Sequence, residues 1–374
     1  AQGACAGAAS GPHAKRRPQE APMPSNAAPE AAAAPAAAPP VKSPRAADIA
    51  NAAEGAGAEA APRRQVVFFV RHAESRWNRA QAEYGLVSML WENDHGLSDE
   101  GRGQAEALRA RLRGAFAAET ARELPPHAPE ELWLAALLRP DVVYSSPFTR
   151  ALQTAVIGLK DVLPGGRELT VMREAREQKN LGGADSTGVA TGEEIPRRLE
   201  EELRGLYEAS CPLEQTEAAL RSLGEVRLDT SGVADEWWGP LTGDAEGALA
   251  ERILGFVERL RWTRGAAAGG GGGAAVVVGH SLFFRTVFSH FIARPEAVPL
   301  VGVAASLQTK LMPYCGVVGT RFEWDDAGRP RIVEALPLLS TELAPADYDG
   351  LRGANLSHVS GCVCGRGKAS CTIA

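Results

Sequence analysis

Two histidines and two arginines stand where they could handle a phosphoryl group. Arg71 and His72 close the apolar run of "VVFFVRHAESRWN" (66–78), and His280 closes a similar run in "AVVVGHS" (275–281). A core strand ordinarily gives way to Gly, Asn or Asp in a turn. These two give way to imidazole, and the first also to a guanidinium. Arg150 lies in "SSPFTRALQTA" (145–155), in the first turn of an expected helix. Arginine forks suit phosphoryl oxygens, and a helix start adds the positive end of a dipole. Asn78, one or two turns beyond His72, can add a neutral donor. Singly, each of these residues is ordinary: a histidine at a strand end is a polar terminus, and Arg150 is a helix surface residue. Their joint pattern is what points to chemistry. Zinc is the next reading for paired histidines. However, Arg71 would repel a divalent ion, and no third ligand has suitable spacing. Ser281 in "GHS" lacks both the G-x-S-x-G elbow and the partner order of a hydrolase triad.

These residues need a sheet whose strands end at one edge, because ligands of open α/β sheets sit outside the carboxyl ends of the strands. Val66–Val70 and 274–280 read as strands buried on both faces. Asp141–Tyr144 and Leu169–Met172 are two more. The stretch 97–116 reads as a helix capped by Ser98, and 148–163 as one opened by Ser146 as N-cap and Pro147 at N1. The stretch 244–262 is an amphipathic helix with Leu249, Ile253, Phe256, Val257 and Leu260 on one stripe. A helix over 281–292 follows the last buried strand. "GAAAGGGGGAA" is a connector without a phosphate-cradling glycine spacing. Residues 317–336 read as an edge hairpin turning at Asp326–Gly328. The alternation predicts an α/β three-layer sandwich with a mostly parallel central sheet. A polar, partly helical insert, about 174–240, follows the third strand.

Composition bounds the rest. The chain has 374 residues and a net charge of −6, without a dense basic block. Nucleic acid is therefore not expected as a partner. Residues 1–64 are Ala/Pro-rich and lack aromatic side chains, so they are expected to form a disordered arm. An organelle address in that arm stays open. The globular part is expected over 65–339, followed by a disordered tail, 340–374. Of the cysteines at 5, 211, 315, 362, 364 and 371, none has zinc spacing, and a reducing, cytoplasmic setting fits.

"RHAESRWN", "LSDEGRGQA", "SSPFTRALQTA" and "VVVGHS", in that order, resemble the histidine phosphatase superfamily, whose fold is phosphoglycerate-mutase-like. The resemblance spans roughly 65–339. It implies that His72 is the nucleophile, that Arg71 and Arg150 hold the phosphate, and that His280 hydrogen-bonds the transferring group. Asn78 becomes a phosphate contact by the same resemblance. It also implies a carboxylate after the third strand that protonates the leaving oxygen. "VMREAREQKNLGGADSTG" offers Glu177, which is favoured, and Glu174, which is the alternative donor or otherwise a substrate contact. Ala73 departs from the glycine more usual in the family. Mutases of the family carry a Gly-Trp-x-Asp stretch that "RAQAEYGLVSMLWENDHG" does not reproduce. The expectation is thus a phosphatase acting through a phosphohistidine on a small phosphorylated substrate or a phosphoprotein. Mutase-type transfer and a non-catalytic phospho-ligand scaffold are the alternatives. Neither a cofactor nor a metal is expected.

The chain ends in "CTIA", which fits C-a-a-X with Cys371 as the lipidated residue, and Cys362 and Cys364 lie just upstream. Membrane attachment through Cys371 and a coincidental cysteine tail are weighed equally.

Overall fold

The computed structural model describes residues 64–83, 92–122, 128–164, 168–178, 184–239, 246–263, 273–292 and 301–345. All of them lie in the compact unit that starts at Ala60. The expected arm up to Arg63, the tail beyond 345 and the cysteines at 362, 364 and 371 lie outside the described residues.

Seven strands form one sheet in the order β4-β3-β2-β5-β1-β6-β7. They are β1 (Arg64–Arg71), β2 (Val142–Ser145), β3 (Glu168–Val171), β4 (Arg227–Asp229), β5 (Ala274–Gly279), β6 (Val317–Trp324) and β7 (Pro330–Leu338). The first five pair in parallel, and β6 and β7 add an antiparallel edge. The expected α/β class and mostly parallel sheet are what the chain forms. The hairpin turns at Gly328, whose φ of +73° favours glycine.

Alternation along β1 divides the core. Phe68 and Val70 face a cluster that includes Leu108 of α2 (Asp99–Thr120), Trp133 of α3 (Pro129–Leu138), Leu152 of α4 (Thr149–Gly158) and Leu199 of α5 (Glu194–Glu208). Val67 and Phe69 face the other layer. That layer is built by α7 (Glu246–Arg261), α8 (Ser281–Phe291) and α9 (Val301–Thr309). The apolar stripe read in α7 is the buried one: Ile253, Phe256, Val257 and Leu260 are almost fully enclosed. Two further helices, α1 (Arg76–Ala82) and α6 (Leu213–Leu223), complete the described set.

The partly helical insert also supplies β4, the outer parallel strand beside β3. Its short run "RLD" carries no alternation long enough to be read as a strand. Helix α4 starts at Thr149 rather than at Pro147, and no side chain of its N-cap Phe148 closes it. Asp94 takes that role from a distant loop, accepting from Thr149 N at 2.8 Å and Thr149 Oγ1 at 2.7 Å. Finally, the chain stays tied to the core past Leu339. Thr341 Oγ1 accepts from Val317 N at 2.8 Å, and Leu311 and Ala344 exchange main-chain bonds of 2.9 Å. Among the described residues, no helix is long and apolar enough to cross a membrane.

Candidate active site

Sheet register brings the two histidines together. Arg71 is paired with Gly279 across β1 and β5, so the next residue of each strand is a histidine. His72 N donates to Gly279 O at 2.9 Å, and the two rings stand 4.9 Å apart at 60°. Strand β2 flanks β5 on its other side, with Ser145 opposite Val278. Ser146 therefore arrives beside His280, and its Oγ lies 2.8 Å from His280 Nε2. The hydroxyl expected to cap a helix is engaged in the site, and it also accepts from Phe148 N at 3.4 Å.

His72 Nδ1 lies 2.6 Å from Ala73 O. A carbonyl can only accept, so Nδ1 carries the proton and Nε2 keeps its lone pair. Burial pushes the His72 pKa well below the ordinary histidine range, and Arg150 and Arg71 push it further. His280 is lowered in the same way, by burial first and then by Arg150 and His72. Both imidazoles are therefore neutral at pH 7.

The two arginines are held over aromatic faces. The Arg71 guanidinium lies 4.1 Å from the Tyr314 ring centre, and its Nη1 donates to Met312 O at 2.6 Å. Arg150 is 1% exposed and lies 4.5 Å from the Phe148 ring centre. Its Nη1 donates to Asp185 O at 3.1 Å and to Asp185 Oδ1 at 3.2 Å. Its Nε is buried without a partner. Thr154 Oγ1, which donates to Arg150 O at 2.7 Å, accepts from Ala73 N at 3.0 Å. The start of α4 is thereby locked to the loop that carries His72.

Glu177 and Glu174 follow β3 and part ways. Glu177 Oε1 accepts from Phe283 N, in the first turn of α8, at 3.1 Å and from Gln178 N at 2.8 Å. Glu177 Oε2 stands 4.0 Å from His280 Nδ1. Burial raises the Glu177 pKa to about 7 against the pull of these donors and of Arg150. Glu174 turns to α7. Its Cγ is 4.0 Å from where a side chain at Gly255 would begin, and its main-chain oxygen accepts from Arg252 at 3.1 Å. The structure brings Glu177, not Glu174, beside His280.

Asn78 is partly committed elsewhere. Its Oδ1 accepts from Ser75 N at 3.2 Å and from Ser75 Oγ at 2.9 Å in a capping box that starts α1. Its amide NH₂ is the donor left over. Glu74, on the loop after His72, accepts from Ser98 Oγ at 2.6 Å.

Sequence reasoning missed Ser146, Asp185, Tyr314 and His95 as parts of this region. His95 is fully enclosed, stacks on Trp77 at 5.3 Å, and has Nδ1 3.3 Å from Glu92 Oε2. The only available signal was the position of Ser146 and Asp185 inside motifs already singled out. Trp237 and Trp238, in "DEWWGP" (235–240), anchor the insert. The ring of Trp237 meets Phe148 edge-on at 4.9 Å, and its Nε1 donates to Ala190 O at 2.9 Å. Among the described residues, no cluster of three or more His, Cys, Asp or Glu could hold a metal ion.

Comparison with known proteins adds to this geometry. The model of the histidine phosphatase superfamily (branch 1) matches residues 67–121, a stretch that holds Arg71, His72 and Asn78. The resemblance to that superfamily read from the motifs is shown. No curated protein matches. Solved structures that match this chain include a phosphoglycerate mutase from Bacillus anthracis, 16% identical, covering 74% of this chain and 94% of its own at a TM-score of 0.37. A mycobacterial glucosyl-3-phosphoglycerate phosphatase is 18% identical, covering 76% and 99% at a TM-score of 0.36. A phosphoserine phosphatase mutant from Entamoeba histolytica is 16% identical, covering 72% and 96% at a TM-score of 0.34.

Proposed function

We propose that this protein is a phosphoric monoester hydrolase that works through a phosphohistidine on His72. The observation that carries the reading is the His72 imidazole. Its Nδ1 is tied to Ala73 O, so the nucleophilic lone pair is on Nε2, and two guanidiniums share its buried site.

In the first step Nε2 attacks phosphorus while the bond to the ester oxygen breaks. Arg71 and Arg150 neutralise the equatorial oxygens, usually the largest contribution in such sites. His280 hydrogen-bonds the group in transfer. The leaving oxygen needs a proton, and Glu177 supplies it. The donating atom is Oε2, because Oε1 already accepts two N–H groups. In the second step water attacks phosphorus, Glu177 takes a proton from it, and the P–N bond breaks with its electron pair returning to Nε2. Phosphate and the starting enzyme result, and no step calls on a metal. Glu174 and Asn78 have no place in the bond-making steps, although the Asn78 amide can still donate to a phosphate oxygen.

The test is chemical trapping. Full-length protein mixed with a phosphate-labelled aryl phosphate and quenched in alkali is expected to carry label on His72, and His72→Ala is expected to lose turnover. Label on a serine, or unchanged turnover in His72→Ala, refutes the proposal.

A further inference from the structure

Arg150 carries a second partner that the proposed chemistry does not use. Asp185 presents both its main-chain oxygen and its carboxylate to Arg150 Nη1, at 3.1 and 3.2 Å. The segment that carries Asp185 is firmly seated. Trp237 holds Ala190 through its indole N–H. A side chain at Gly188 would meet the rings of Trp238 and Trp237 at 2.4 and 2.5 Å. Trp237 in turn packs on Phe148, the ring beneath the Arg150 guanidinium. The contact between Asp185 and Arg150 is thus built from both sides. Meanwhile Arg150 Nε is buried and unpartnered, a costly state for a guanidinium donor unless an oxyanion is to arrive there.

We propose that Asp185 is a built-in counter-anion, which shares Arg150 with the phosphoryl group and weakens the site's hold on inorganic phosphate. This rests on Arg150 being a phosphate ligand, as in the function proposed above. Asp185 acts through Arg150 and is therefore a positioning residue. It holds one end of the fork and leaves the Nε edge for an oxygen of the substrate. Its negative charge opposes a dianion in that position. A group with two enclosed guanidiniums and no counter-charge would retain its own product. Asp185 lowers that retention while leaving the arginine in place.

Asp185→Asn tests the idea, because asparagine keeps both oxygen acceptors for Nη1 and removes only the charge. A unit charge about 6 Å from a dianion, screened nearly as in water, changes its binding about tenfold. The competitive inhibition constant of inorganic phosphate against an aryl phosphate is expected to fall about tenfold, and calorimetric titration with phosphate to tighten equally. Asp185→Ser, if also folded by its thermal midpoint, should tighten in the same direction. An unchanged or weakened phosphate affinity in the folded variants overturns the inference. Arg150→Ala separates this result from failure of the functional reading. Loss of phosphate inhibition there, with no effect at Asp185, refutes the counter-anion alone. Phosphate inhibition that survives Arg150→Ala refutes the phosphate-binding site itself.

Discussion

Replacing Glu177 by glutamine turns one ionisable buried carboxyl into a neutral amide, and two independent measurements should register it. The carboxyl is raised from 4.5 to about 7, mainly by burial. At about 1.4 kcal/mol per pH unit, that displacement corresponds to about 3 kcal/mol. The sign follows from which form the fold prefers. The neutral acid is favoured in the folded state, so its stabilisation is complete below pH 4.5 and is lost as pH rises through about 7. Glutamine is neutral throughout and has no such slope. Urea unfolding of both proteins at pH 5, 6, 7 and 8 should therefore show wild type losing up to about 3 kcal/mol relative to Glu177→Gln across that range. His72 and His280 are present in both proteins, so their own titration largely cancels in the difference. Kinetically, kcat/KM for an alkyl phosphate should fall above about pH 7 in wild type. In Glu177→Gln it should be ~10²–10⁴ lower and without that limb. An ester with a good leaving group needs no proton and should be spared. A stability difference that is flat from pH 5 to 8 refutes the buried-acid reasoning. So does an alkaline limb that survives in the glutamine variant.

Two further outcomes follow from particular contacts. Because burial holds His72 and His280 well below the ordinary histidine pKa, kcat/KM should show no acid limb near pH 6.5. The same depression means that stability from these groups is complete above pH 6.5 and is lost as pH falls below it, which unfolding titrations in acid would register. Gly101→Ala should destabilise despite the better helix propensity of alanine, worth about 1 kcal/mol. A Cβ there would sit 2.0 Å from Glu74 O, on the loop that leaves His72. Overpacking of that kind costs about 1–3 kcal/mol, and a lowered urea midpoint together with reduced turnover is expected. A neutral or stabilising Gly101→Ala would show that the loop yields freely.

The parts of this protein that were legible in the sequence are those with strong local signals. The runs ending at Arg71 and Gly279 are uninterrupted apolar segments, and such runs become strands enclosed on both faces. Ser98 stands one residue before a periodic segment and does cap α2, through Gly101 N at 3.0 Å. Ser146 followed by Pro147 gave an equally good local signal, but although Ser146 Oγ accepts from Phe148 N at 3.4 Å the helix opens only at Thr149. The propensity of serine for an N-cap is worth about 1 kcal/mol, and tertiary contacts readily override it. Here the overriding contacts are His280 at the serine hydroxyl and Asp94 at the helix start. Asp94 lies 55 residues before Thr149, a separation at which no local rule operates. Glu174 and Glu177 are likewise alike in sequence. They differ because the 3₁₀ turn Arg173–Ala175 sends one toward α7 and the other toward α8.

That turn also explains why the insert matters to the chemistry. The ends of β1, β5 and β2, with the first turn of α4, supply only cations and neutral groups to this edge: Arg71, His72, His280, Ser146 and Arg150. Two carboxylates that meet them, Glu177 and Asp185, come from the chain between β3 and β4, while Asp94, from the loop before α2, acts on Arg150 from beside Thr149. Glu177 is enclosed tightly enough to keep its proton near neutral pH, so it adds little negative charge before it reacts. Asp185 instead pairs with the Arg150 guanidinium at 3.2 Å. Under the proposed function, one segment thus supplies both the acid beside His280 and the counter-charge at Arg150. Lengthening the stretch between Glu177 and Asp185 would leave the histidines and arginines untouched. It should still slow hydrolysis of poor leaving groups, because the acid and the counter-anion would lose the positions that the sheet alone cannot give them.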